Sequence, residues 1–260
     1  MRFLIEDKVF EDDQDKLLDT LEQRRIEYSV IDKNSVDIYA AYNKEKTFCY
    51  GSLELINKIK QLNNPKLITS CTIENYDCRI YYNHFSSYSK KRFIFNGWSG
   101  IVKAKYIDKH LEHPKFVRPA VGYKPNGFNG GVYTKNDIDY IKSCFHGNDE
   151  LMVSTAKFID SEYRIIIDKY QYITGCTYKT FCEETRKLGF DPSPDVPDKV
   201  KIFIELYFKN IGWYPDDIYV VDLVEDVNDI ALLEINALST SGWYDCDYNK
   251  IIDSIIKTYD

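Results

Sequence analysis

The chain has 260 residues, with 44% hydrophobic side chains, 29% charged side chains and a formal net charge of −7. That composition is that of a soluble globular protein with room for one large domain or two modest ones. The acidic balance and the lack of any run of Lys and Arg argue against nucleic acid or an anionic membrane as the partner.

Seven cysteines without C-x-x-C spacing exclude a disulfide scaffold or zinc ribbon as the organising principle and are read as reduced thiols of a cytoplasmic protein. The opening MRFLIEDKVF is an apolar strand broken by Glu6 and Asp7, not a targeting segment, and no apolar run is long enough to span a membrane.

In chain order, Arg2 to Ile5 forms a strand, and Asp12 or Asp13 caps a helix that turns Leu17, Leu18 and Leu21 inward. Tyr28 to Ile31 and Val36 to Ala41 are further strands. Leu53, Ile56, Ile59 and Leu62 recur at helical spacing, with Pro65 beyond the helix end. Strands at Leu67 to Ser70 and Arg79 to Tyr82 complete a small α/β unit with a partly parallel sheet, assigned to residues 1–95.

From residue 96 to residue 260 the pattern is richer in short strands, and a second domain is expected there. Its strands are Phe116 to Arg118, Gly131 to Tyr133, Leu151 to Phe158, Tyr163 to Ile167 and Tyr172 to Tyr178. Thr134 and Asp137 form a capping box for a helix carrying Ile138 and Ile141. Pro197 opens another helix with the stripe Val200, Phe203, Ile204 and Tyr207, ended by Gly212. A hairpin of Tyr219 to Val224 and Ile230 to Asn236 follows, then a helix from about Asp247 that buries Ile251, Ile252, Ile255 and Ile256. His110 and His113 have no acidic or cysteine cluster nearby, so a surface helix fits them better than a metal.

The hairpin VVDLVEDVNDIALLEINA holds the most informative residues. A turn centred near Val227 or Asn228 places Asp222 opposite or diagonal to Glu234, and the period of two puts Glu234 and Asn236 on one face. Facing carboxylates repel, and burying them unpaired costs several kcal/mol each in order of magnitude. A hard divalent cation with oxygen ligands removes that conflict, and a solvated acidic edge is the other reading.

Upstream, FVRPAVGYKPNGFNGGVY joins Arg118 to a loop with Lys124, Gly127, Gly130 and Gly131. Glycines let backbone N–H groups close on phosphate oxygens, Lys124 adds a mobile charge, and Arg118 a planar fork. An ordinary Asn-Gly turn is the competing reading. In IDSEYRIIID, Glu162 and Arg164 share a strand face, either as an ion pair or with Arg164 aimed at an anion. Just before it, MVSTAKFI leads into a hinge whose backbone suits a flat base between apolar walls.

In this order, the basic residue, glycine-rich hairpin, hinge strand and D…E-x-N pattern resemble an ATP-grasp protein. Arg118, Lys124 and Arg164 resemble more narrowly the clade named for two arginines and a lysine, found in phage and bacterial genomes. The match runs from Phe116 to Tyr244. The resemblance implies an ATP-grasp fold, two α+β lobes sandwiching ATP, preceded by a small α/β domain. It implies that Asp222, Glu234 and Asn236 bind Mg2+, and that Arg118, Lys124 and Arg164 hold phosphates or an acyl phosphate and serve as the catalytic residues. Gly127, Gly130 and Gly131 would form the phosphate loop, and Ser154, Thr155, Ala156, Lys157 and Phe158 would line the adenine site.

The implied activity is an ATP- and magnesium-dependent carboxylate-amine ligase acting through an acyl phosphate on small-molecule or peptide acids and amines. The expected location is the cytoplasm, that of the host if the protein is viral. A hydroxyl-phosphorylating ATP-grasp kinase and a non-catalytic nucleotide-binding adaptor are the alternatives. The loop from Ser239 to Asp245 is either a substrate contact or a connection packed over Trp243. Asp222→Asn and Glu234→Gln are both expected to abolish turnover with the fold intact.

Overall fold

The computed structural model describes residues 1–88, 99–122, 125–182, 185, 187–226 and 229–260. Strand β1 (Arg2–Glu6) is central in a parallel sheet of order β2-β1-β3-β4, with β2 (Tyr28–Ile31), β3 (Thr47–Tyr50) and β4 (Leu67–Ile68). Side chains alternate across the sheet. Phe3, Ile5, Phe48 and Tyr50 enter one buried cluster with Leu17 and Leu21 of helix α1 (Glu11–Gln23), while Leu4 and Cys49 enter another with Leu55, Ile56 and Ile59 of helix α3 (Leu53–Gln61).

Two segments expected as strands are helices. Val36–Tyr42 is helix α2, because β2 and β3 flank β1 in parallel and the chain must cross from one side of β1 to the other. Asp32 starts the turn before it by accepting a hydrogen bond from the Asn34 N–H at 2.8 Å. Arg79 to Tyr82 lies in helix α4 (Cys78–Tyr88), whose buried Cys78, Tyr81 and Phe85 fall on one helical face. The expected cap of α1 also differs: Phe10 occupies that position with φ 55°, and Asp13 is buried, accepting hydrogen bonds from Trp243 N–H at 2.9 Å and the Tyr248 hydroxyl at 3.1 Å. The short strand β3 had no counterpart in the sequence reading. The boundary near residue 95 lies outside the described residues.

A second, antiparallel sheet has the order β5-β8-β6-β7, from β5 (Ser99–Lys103), β6 (Lys115–Pro119), β7 (Gly131–Tyr133) and β8 (Glu150–Thr155). With α5 (Ile138–Cys144) it encloses its own core of Ile107, Phe128, Ile141, Leu151 and Val153. The Thr134–Asp137 capping box forms as expected.

The third sheet is antiparallel, in the order β11-β10-β9-β12-β13. It comprises β9 (Ser161–Asp168), β10 (Gln171–Cys182), β11 (Lys187–Ser193), β12 (Ile218–Asp226) and β13 (Asp229–Ala237). Val200, Phe203 and Ile204 of α6 (Asp198–Ile211) cover one face, joining Ile165, Ile167, Val221 and Leu223. Ile251, Ile252 and Ile255 of α7 (Tyr248–Tyr259) cover the other, with Ile166, Val220 and Trp243. Gly212 ends α6 in the left-handed region at φ 68°, a conformation glycine adopts without steric cost. Among the described residues no helix is long and apolar enough to cross a membrane.

Candidate functional site

The second and third sheets face each other across a cleft of about 480 Å³, with Arg118, Phe128 and Gly130 on one side and Glu162, Arg164, Lys179, Glu234 and Asn236 on the other. Phe10 and Tyr76 reach its rim from the N-terminal unit. A more apolar slot of about 310 Å³ continues from it, and Phe116, Gly130, Ile159 and Glu162 line both.

The register of the hairpin gathers the acidic set. Asp222 pairs directly with Glu234 across β12 and β13, and a bulge follows at Leu223. The Asn236 amide donates to Asp222 Oδ2 at 3.1 Å and to Glu234 Oε1 at 3.0 Å, so three oxygen-bearing side chains meet at one point. Their exposure differs. The Asp222 side chain is 0% exposed and Glu234 is 30% exposed, so Glu234 faces the cleft and Asp222 lies behind it.

Each carboxylate is held by an arginine. Arg164 grips Asp222 from the neighbouring β9 with Nε–Oδ1 at 2.9 Å and Nη2–Oδ2 at 2.8 Å, and donates from Nη1 to the Gly242 carbonyl at 2.8 Å. Its guanidinium lies 4.4 Å from the ring of Tyr244 and 5.3 Å from that of Tyr178. Such a planar, stacked, bidentate contact suits arginine and not lysine. Arg118 Nη1 lies 3.0 Å from Glu234 Oε2. Burial pushes the Asp222 carboxyl up, with Arg164 opposing. At Glu234 burial acts in the same direction, but Arg118 and the Asn236 amide outweigh it and hold the carboxyl below the usual range.

Asp222, Glu234 and Asn236 offer two carboxylates and an amide oxygen, the donor chemistry of a hard divalent cation that keeps water and phosphate in its remaining positions. No group of three or more His, Cys, Asp or Glu able to hold a metal occurs among the described residues, so the amide would have to contribute.

Of the hinge residues, Ser154, Thr155, Lys157 and Phe158 line the apolar slot, with Phe181 and Leu188 opposite; Ala156 does not line it. The Ser154 hydroxyl is buried there without a hydrogen-bond partner among the described residues. Phe158 and Phe181 meet edge to face with ring centroids 4.6 Å apart. Gly130 and Gly131 line the slot, whereas Gly127, with φ 72°, shapes the turn without lining either cavity. Lys124 lies outside the described residues. From the loop after β13, Thr240, Ser241, Gly242 and Tyr244 line the cleft, while Trp243 is fully buried beneath it.

Lys179 escaped the sequence reading. It donates to Glu162 at 2.7 Å across the β9–β10 pair and lines the cleft. Phe10, Tyr76 and Tyr178 escaped it as site residues too, since they are aromatic residues of separate segments that only the packing brings to one place; Tyr244 belongs to the Ser239 to Asp245 loop already offered as a substrate contact.

Neither family sequence models nor curated protein sequences match the chain. Solved structures do. D-alanine–D-alanine ligase from Bacillus anthracis is 15% identical, with a TM-score of 0.66 over 100% of this chain and 97% of that one. D-cycloserine synthetase DcsG is 11% identical, with a TM-score of 0.67 over 99% of each chain. The ATP-grasp ligase PsnB, solved with a minimal precursor, is 11% identical, with a TM-score of 0.60 over 99% of each chain. The chain has the ATP-grasp fold.

Proposed function

We propose that the protein is an ATP- and magnesium-dependent ligase that joins a carboxylate to an amine through an acyl phosphate. The observation that carries this reading is the juxtaposition of Glu234, Asn236, Arg118 and Arg164 in a cleft that runs into an apolar slot with one buried, unpartnered hydroxyl. The solved neighbours add support, being named as ligases or a synthetase and including complexes with ATP or with magnesium and ADP.

In this reading the base enters the slot beside Ser154 and Phe158, and the phosphates extend past Gly130 toward Arg118. Glu234 and Asn236, backed by Asp222, would hold magnesium, whose charge would offset that of the phosphates. Arg118 and Arg164 add the positive charge around the transferred group. A substrate carboxylate oxygen attacks the γ-phosphorus, the bond to the β-phosphate oxygen breaks, and ADP leaves. The amine nitrogen then attacks the acyl carbon, and phosphate departs as the amide forms and the nitrogen loses a proton. The protein contributes position and charge compensation, which suffice for phosphoryl transfer. The adjoining part of the cleft, beside Tyr244 and Thr240, receives a small-molecule or peptide acid and its amine partner.

Calorimetric titration with a non-hydrolysable ATP analogue, with and without magnesium, tests the nucleotide site. Magnesium-dependent binding by the wild type and its loss in Glu234→Gln is the expected outcome. ADP release that requires both an acid and an amine then tests the ligase chemistry. No binding by folded protein would overturn the reading.

A further inference from the structure

The loop after β13 is carried by the N-terminal unit. The Tyr50 hydroxyl donates to the Ser241 carbonyl at 3.0 Å, and Lys16 of α1 donates to the Tyr244 carbonyl at 3.3 Å and pairs with Asp245. Asp13, one turn before Lys16 on the same helix, is 5% exposed. Its Oδ2 accepts from the Trp243 N–H at 2.9 Å and its Oδ1 from the Tyr248 hydroxyl at 3.1 Å. The other end of that same peptide group is the Gly242 carbonyl, which accepts from Arg164 Nη1 at 2.8 Å. A Cβ at Gly242 would overlap Asp13 Oδ2, so glycine at this position lets the carboxylate come up to the peptide.

We infer that Asp13 is a positioning residue for Arg164 and, through Arg164, for the carboxylates of the candidate site. The step from Arg164 to the site rests on the proposed roles of Asp222 and Glu234. One peptide plane joins the two charges. Its N–H points at the carboxylate and its C=O at the guanidinium, so each bond polarises the peptide in the sense that strengthens the other. Arg164 is thereby held on two sides, with Nη1 on the Gly242 carbonyl and with Nε and Nη2 on Asp222 at 2.9 and 2.8 Å. Asp222 in turn accepts from the Asn236 amide, which also donates to Glu234. Without Asp13 the Gly242–Trp243 peptide loses its buried anchor, and its carbonyl is free to turn away from Nη1. Asp222, Asn236 and Glu234 then lose the fixed spacing that a cation of strict geometry requires.

The test compares Asp13→Leu, which keeps the approximate shape and removes both acceptor oxygens, with Asp13→Asn, which keeps one for Trp243. NMR follows the Arg164 guanidinium signals in the free protein, with neither metal nor nucleotide. Calorimetry measures binding of the magnesium complex of a non-hydrolysable ATP analogue, and of AMP. In Asp13→Leu the expected result is displaced Arg164 Nη1 signals, about tenfold weaker binding of the magnesium–analogue complex and unchanged AMP binding. Asp13→Asn is expected to restore most of the affinity, with a smaller displacement of the same signals. Unmoved Arg164 signals in either variant would overturn the inference, and Asp13→Asn decides it should Asp13→Leu fail to fold. Equal losses for AMP and the analogue would also overturn it, by showing that Asp13 supports the fold in general and not the phosphate end of the cleft. Failure of wild-type protein to bind the analogue would overturn the ligase reading alone, because the Arg164 signals of the free protein still decide whether Asp13 holds the arginine.

Discussion

At Asp222 a charge fully removed from water is held by two bonds from Arg164, itself buried under Tyr244 and Tyr178. Removing one partner of a buried pair leaves the other uncompensated, at a cost of about 3–5 kcal/mol. Asp222→Asn is therefore expected to lower stability markedly in urea unfolding, whereas the sequence reading expected the fold to be untouched. Glu234 is 30% exposed, so Glu234→Gln should cost less stability than Asp222→Asn while losing magnesium-dependent nucleotide binding. Equal stability of the two variants would contradict this distinction.

Asp13 offers a pH test. Burial raises its pKa above 3.8 despite hydrogen bonds from Tyr248 and Trp243. A carboxyl whose pKa is raised by folding contributes stability below the unfolded value, and that contribution is lost as the pH rises through the folded value. Asp13→Asn has no such loss. The stability difference between variant and wild type should move in favour of the variant from acid to neutral pH, as read by melting across a pH series.

Among the elements, the β6–β7 hairpin couples backbone to charge. A Cβ at Gly130 would stand 3.2 Å from Arg118 Cβ and 3.3 Å from Phe116 Cζ, close enough to require movement of both. Gly130→Ala is expected to retain the fold, because the hairpin edge borders open cleft, and to weaken nucleotide binding several-fold. Calorimetry with the ATP analogue checks it, and wild-type affinity would separate Gly130 from the placement of Arg118. The same hairpin shows how far local patterns reach. The strand before Arg118, the glycines and the capping box at Thr134 were legible because each depends on near neighbours in the chain. The edge strands β5 and β11 were not: β5 takes its register from β8, distant in sequence, and β11, though it follows its partner β10 directly, carries Gly189 and Pro192, which read as turn residues.

Across the whole molecule the division at about residue 95 separates sheets but not cores. Phe3, Ile5 and Leu17 pack with Ile166, Trp243 and Ile251, and Leu4 and Tyr81 belong to the cluster that holds Val221 and Phe203. The second sheet, by contrast, closes a core of its own. We propose that residues 1–95 form an architectural unit that depends on the rest of the chain. A fragment of residues 1–95 should show no cooperative thermal transition, because α7 and the third sheet cover its apolar faces. A sharp two-state transition in that fragment would refute the dependence.

The sequence alone determined the two strands of the acidic hairpin, the shared face of Glu234 and Asn236, the inward stripes of α3, α6 and α7, and the glycine that ends α6. These follow from the periods of strand and helix and from backbone freedom, which act over a few residues. The tertiary structure decided that Val36–Tyr42 crosses as a helix, that Asp222 is buried while Glu234 meets the cleft, and that Lys179 faces Glu162. It also brought Arg118, Arg164 and Tyr244 from distant parts of the chain to one cleft. Such outcomes depend on strand order, register and which side of each sheet is covered, and those are settled by packing between segments that lie far apart in the chain.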